Sequence, residues 1–161
     1  MDASAVITGA YRYRLDREWS SAPGRAVWIM LNPSTADAGA DDPTLRRCLA
    51  FTRAWGLGGL TVVNLFALRS TDPRELACHP DPVGPACDHY IAGALAGASA
   101  VVAAWGAHPM ASRRAEQVIA MTTGRLACLG TTKDGQPRHP LYIRTGTLLV
   151  PYTPTGTGGR S

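Results

Sequence analysis

Arg25-Ala-Val-Trp-Ile-Met-Leu31 is a short apolar run that stops abruptly at Asn32-Pro33. An apolar run of this length, bounded by a turn, predicts a strand buried on both faces. Two more runs share its character, Leu60-Thr-Val-Val-Asn-Leu-Phe66 and Ala98-Ser-Ala-Val-Val-Ala-Ala-Trp105, and Arg125-Leu-Ala-Cys-Leu129 is a fourth. Helical stretches alternate with them. Asp42-Pro43-Thr44 opens the first, with Asp42 as cap, Pro43 at the first helical position and Leu45, Leu49 and Phe51 on its apolar face; Gly56 ends it. Further helices are expected over Ala86 to Gly97 and Ala111 to Thr122. This alternation predicts an α/β fold, a three-layer α/β/α domain with a central, mainly parallel sheet and right-handed crossovers.

Upstream, Tyr11 to Trp19 alternates aromatic and charged residues and reads as an edge strand or arm. The connection from Asp72 to Pro85 is rich in proline. The polar stretch 153–161 has nothing to bury and is expected to be a flexible tail to a single domain over 1–152.

The composition bounds the rest. The chain has 161 residues, 45% hydrophobic and 17% charged, which fits one globular domain. No apolar run approaches the roughly 18–20 residues a bilayer needs, and the first residues lack a signal-peptide pattern, so a cytoplasmic address without membrane attachment is expected. Cys48, Cys78, Cys87 and Cys128 form no CxxC, which argues against a zinc ribbon and favours free thiols. No metal site or cofactor is expected: the dinucleotide and P-loop fingerprints and HExxH are absent, and so is GxSxG. The net charge is +4, and Lys133 is the one lysine among 16 basic residues. Arginine suits phosphate, although a GC-rich genome would give the same bias. The sequence leaves the oligomeric state open.

In open α/β sheets ligands bind beyond the carboxyl ends of the strands. That rule selects residues 32–37, 64–72, 105–108 and 130–142, where polar and special residues also concentrate. Asn32 and Asp37 are candidates to hold a water or a substrate hydroxyl, with Ser34 beside them; the bland reading is a turn and helix cap. Asn64 is a polar amide inside an apolar strand, and its paired donor and acceptor suit the edge of a nucleobase. His139, fixed before Pro140, is placed to donate to an oxygen that gains charge as a bond breaks. Phe66 and Arg138 are candidate substrate contacts, and Arg46 and Arg47 candidate phosphate contacts.

Six segments, LNPSTAD (31–37), DDPT (41–44), WGLGGLTVVNLFALRSTDP (55–73), DPVGP (81–85), AWG (104–106) and RHPLY (138–142), resemble an uncharacterised bacterial family, domain of unknown function 1643. More distantly, their order and spacing are similar to the uracil-DNA glycosylase superfamily. The resemblance implies a glycosylase-like domain in which Asn32 orients the attacking water, Asn64 reads the base and His139 contacts it. Of the iron–sulfur ligands found in one branch only Cys87 has a counterpart, so no cluster is implied. Asn-Pro-Ser and His-Pro-Leu-Tyr also depart from the glycosylase motifs.

The function expected on this basis is a hydrolase cleaving the N-glycosidic bond of a base in nucleic acid or a nucleotide. The alternatives are a non-catalytic nucleic-acid or nucleotide binding module, and a different small-molecule enzyme using Asp37 or Asp42 as acid or base.

Overall fold

A computed structural model describes residues 1–154. The chain runs β1 (Asp2–Thr8), β2 (Tyr11–Glu18), β3 (Arg25–Met30), α1 (Pro43–Ala54), β4 (Gly59–Asn64), α2 (Arg74–Cys78), α3 (Cys87–Ala96), β5 (Ala100–Ala103), α4 (Ala111–Met121), β6 (Leu126–Cys128) and β7 (Val150–Pro151). From residue 155 on, the expected tail lies outside the described residues.

One sheet carries all seven strands in the order β1-β2-β4-β3-β5-β6-β7. The four inner strands, β4-β3-β5-β6, are parallel. The outer ones are antiparallel: β1 on β2, β2 on β4 and β7 on β6. The sheet is therefore mixed, which corrects the expectation of a mainly parallel one. Two elements account for the difference. Asp2–Thr8 is mostly exposed and has no bulky apolar residue before Val6, and Val150–Pro151 is only two residues long.

Alternation along the inner strands sends side chains to two cores. Ala26, Trp28 and Met30 of β3, with Leu60 and Val62 of β4, pack against Leu45, Cys48, Leu49 and Phe51 of α1. Val27, Ile29 and Val63 face the other way, toward Cys87, Ile91 and Ala94 of α3 and Ala115 and Val118 of α4. Helices thus cover both faces. The Trp28 ring stacks on Trp55 at 5.5 Å, and its Nε1 donates to Thr52 Oγ1 at 3.0 Å, so the buried indole N–H is satisfied. Asp42 caps α1 by accepting from the Leu45 N–H at 2.8 Å, with Pro43 at the first helical position, as the sequence predicts.

The outer strand β2 does not follow the simple alternation of its sequence. Its pairing with β1 shifts register between Val6 and Ile7, which face Arg14 and Arg12, leaving Tyr13 as an extra residue. Such a bulge reverses the phase of the pleat. Leu15 packs in the core under α1, whereas Tyr13 joins the opposite core and stacks on Tyr90 of α3 at 5.2 Å. Arg12 then turns to the same side as Leu15, where the cleft lies. All four cysteines are free thiols, and only Cys78 is exposed. No helix among the described residues is long and apolar enough to cross a membrane.

Candidate functional site

The carboxyl ends of β3, β4 and β5 converge on a cleft of about 470 Å3. Leu15, Met30, Leu45 and Val62 form an apolar wall; Arg12, Asn32, Ser34, Asp42, Asn64 and His139 supply polar groups; Leu141 and Tyr142 are also part of its lining. Tyr142 is 86% exposed.

Backbone hydrogen bonds fix the loops to one another. Leu65 N–H donates to the Met30 carbonyl at 2.9 Å and Ser70 N–H to the Pro33 carbonyl at 2.9 Å, joining the segments after β3 and β4. On the other side Gly106 N–H donates to the Pro137 carbonyl at 2.9 Å, holding the end of β5 against the loop of His139. Gly106 has φ +74°, a conformation that favours glycine, and an added Cβ would lie 3.8 Å from the His139 Cβ.

Each polar group is oriented differently. Asn32 Nδ2 donates to the carbonyls of Pro33 (3.1 Å) and Ser70 (3.0 Å). Both amide hydrogens are committed, and Oδ1 is left to accept. Ser34 Oγ donates to Asp42 Oδ2 at 3.0 Å, while the other Asp42 oxygen caps α1. His139 Nδ1 accepts from the Leu141 N–H at 3.2 Å, so the neutral ring carries its proton on Nε2. Asn64 is 2% exposed, and neither its Nδ2 nor its Oδ1 has a hydrogen-bond partner among the described residues. An amide buried this way forgoes water without compensation, about 1–3 kcal/mol for each unmade bond.

Burial holds the His139 imidazolium below its ordinary pKa, against a smaller opposing pull from the Asp42 carboxylate. The ring is therefore neutral at pH 7. Between the folded value and 6.5 the unfolded chain binds more protons than the folded one, so stability falls as pH drops below 6.5. It levels off once the folded ring has titrated. A proton-NMR titration should give a His139 midpoint below 6.5; a midpoint above it would mean the ring is paired as a cation.

The structure brings Asn32, Ser34, Asn64 and His139 to the cleft and leaves five other expected residues outside its lining. Asp37 accepts from the Gly39 N–H at 2.8 Å, closing its own turn, and its carbonyl accepts from Arg17. Phe66 lies in the core beneath α3 and α4, because β4 has ended at Asn64 and the chain turns before the pleat would return it to the cleft face. Arg138 is exposed and donates to the Thr131 carbonyl at 3.2 Å. Arg46 is exposed and reaches the Asp41 carbonyl at 3.3 Å. Arg47 is a strut: it donates to Thr145 Oγ1 at 3.2 Å and to the Ile143 carbonyl, and lies over the Phe51 ring. Its hydrogen bonds tie α1 to the segment after His139, so it is spent before any phosphate arrives.

Two residues not anticipated from the sequence shape the site. Arg17, 2% exposed, donates to Asp41 and to the carbonyls of Asp37 and Ala40, pinning the loop between β3 and α1. Arg12, 4% exposed, lines the cleft itself. The even alternation around Tyr11 and Tyr13 carries no sign of the bulge that turns Arg12 inward.

Searches among curated proteins and among solved structures found no match. A family model does match, over residues 12–141, a span holding every cleft residue except Tyr142. The chain belongs to that family, described as protein of unknown function DUF1643.

Proposed function

We propose that the cleft binds a nucleobase-containing ligand and cleaves its N-glycosidic bond, on a three-layer α/β/α domain of uracil-DNA glycosylase-like type in the cytoplasm. The observation that carries this reading is the unpartnered Asn64 amide, buried yet lining an open cleft. A donor and an acceptor side by side match the edge of a base, and a bound base would satisfy both. The helices on both faces of four parallel inner strands support the fold part of the proposal.

In this reading the C–N bond breaks with its electron pair going to the base, leaving cationic character on the sugar. The neutral His139 donates from Nε2 to the base as negative charge grows. Asn32 Oδ1 accepts a hydrogen bond from the water whose oxygen then bonds to the anomeric carbon. An amide orients water but takes no proton, so the water's proton leaves to solvent after attack.

One observation favours a binding module instead. Asp42, the carboxylate among the lining residues, has both oxygens committed to Leu45 and Ser34 and is not free as a base. Single-turnover incubation with free nucleosides, nucleotides and modified-base oligonucleotides, followed by chromatography of released base, separates the two. Base release from one class supports the hydrolase. Saturable binding with no release from any class overturns it in favour of the module.

A further inference from the structure

The cleft contains a buried cation, Arg12. It pairs directly with no carboxylate among the described residues, unlike Arg17 with Asp41 and Arg114 with Asp88. Its Nη1 donates to the Ala36 carbonyl at 2.7 Å, and its buried Nε has no partner. Nη2 also makes no hydrogen bond among the described residues. Nε–H and Nη2–H point the same way from one edge of the guanidinium, the edge that grips two oxygens of an oxyanion at once. Burial lowers its pKa to about 10, opposed by Asp42 and reinforced by Arg69 and Arg17, so it is still charged at neutral pH. Asp42 is the nearby carboxylate with most influence, but its oxygens are already taken by Leu45 and Ser34.

We propose that Arg12 anchors a terminal phosphate, so that the cleft takes a free nucleotide bearing a phosphomonoester rather than a base within a nucleic-acid chain. The proposal rests on the nucleobase reading of Asn64 and adds the substrate class. Depth decides between the two phosphate sources. A phosphodiester continues as chain on both sides and needs an open groove, whereas Arg12 is 4% exposed and is reached by a chain end. The cleft, at about 470 Å3, falls in the small-molecule range of ~300–1,000 Å3. The bulge at Tyr13 gives the placement its cause, since bulges beside active sites re-aim side chains.

Calorimetric titration of the full chain tests this with the common nucleosides, their 5′-monophosphates, ribose 5-phosphate, and short oligonucleotides lacking terminal phosphates. Wild type should bind a monophosphate roughly 10–100-fold more tightly than its nucleoside. Arg12→Gln should abolish that ratio, and Arg12→Lys should keep only part of it, because a point charge lacks the fork. The wild-type ratio needs no variant, so it stands even if a substitution impairs folding. An equal ratio in wild type and Arg12→Gln overturns the anchor while leaving Asn64 untouched. Oligonucleotides bound as tightly as monophosphates, and weakened equally by Arg12→Gln, overturn the choice of a free nucleotide. Ribose 5-phosphate binding that depends on Arg12, without binding of any nucleoside, keeps the anchor and refutes the base reading. No binding of any probe overturns both.

Discussion

His139→Ala should slow single-turnover bond cleavage by about 10²–10³, roughly 2.7–4 kcal/mol, the usual cost of removing one preorganised donor at a developing anion. Ligand affinity should change far less, because the donor's interaction strengthens only as charge builds on the departing base. The substitution also removes the Nδ1 acceptor of the Leu141 N–H, which holds the turn Pro140–Tyr142. His139→Asn separates these effects, since a short amide still accepts from that N–H but has no donor in the position of Nε2. The two variants should lose a similar factor in rate. Cleavage at the wild-type rate by either would remove His139 from the chemistry and leave it as a turn cap.

The parts of the fold legible in the sequence are those where local chemistry and tertiary environment agree. Ala26–Met30 is apolar throughout because both faces of β3 are covered, and Asp42-Pro43 meets the two requirements of a helix start in consecutive residues. The five-residue α2 lies inside the proline-rich connection, where the composition reads as loop. β1 and β7 are not legible in the sequence, for a different reason. β1 pairs with a strand whose phase is broken by one residue, and β7 is two residues long.

The site shows the same division. Asn32, Asn64 and His139 stand out because each is a polar residue where an apolar strand ends or a proline fixes the backbone. The arginines could not be sorted by type alone. Arg47 carries the same guanidinium as Arg12, but its hydrogen bonds to Ile143 and Thr145 make it part of the scaffold. Strict alternation puts Arg12 opposite Leu15, and the bulge reverses that. What distinguishes a binding arginine is an edge of the guanidinium left without a partner, a property of the assembled structure.

Asn64→Leu should stabilise the ligand-free protein and disable the site, and the pairing of those outcomes is the discriminating result. Leucine matches the amide in shape, while Asn64 lies 2% exposed on the cleft face beside Val62 with two unmet hydrogen-bonding groups. Replacing an unsatisfied buried polar group with an apolar one of the same shape recovers its desolvation, about 1–3 kcal/mol. For a domain of this size each 1 kcal/mol raises Tm by about 2–4 °C. Ligand recognition should move the other way. A base placed against leucine leaves its own donor and acceptor unpaired, so kcat/KM, or affinity if the protein only binds, should fall by about 10²–10⁴. Thermal melting of both proteins without ligand, beside single-turnover and binding assays, measures the two quantities independently. A lower Tm for Asn64→Leu would mean the amide already supports the fold and is not held in reserve for a ligand. A higher Tm with unchanged recognition would mean the amide is unsatisfied for some purpose other than the base. Only a gain in stability coupled to a loss of recognition fits a strand that keeps an unpaired amide at its carboxyl end because a ligand completes it.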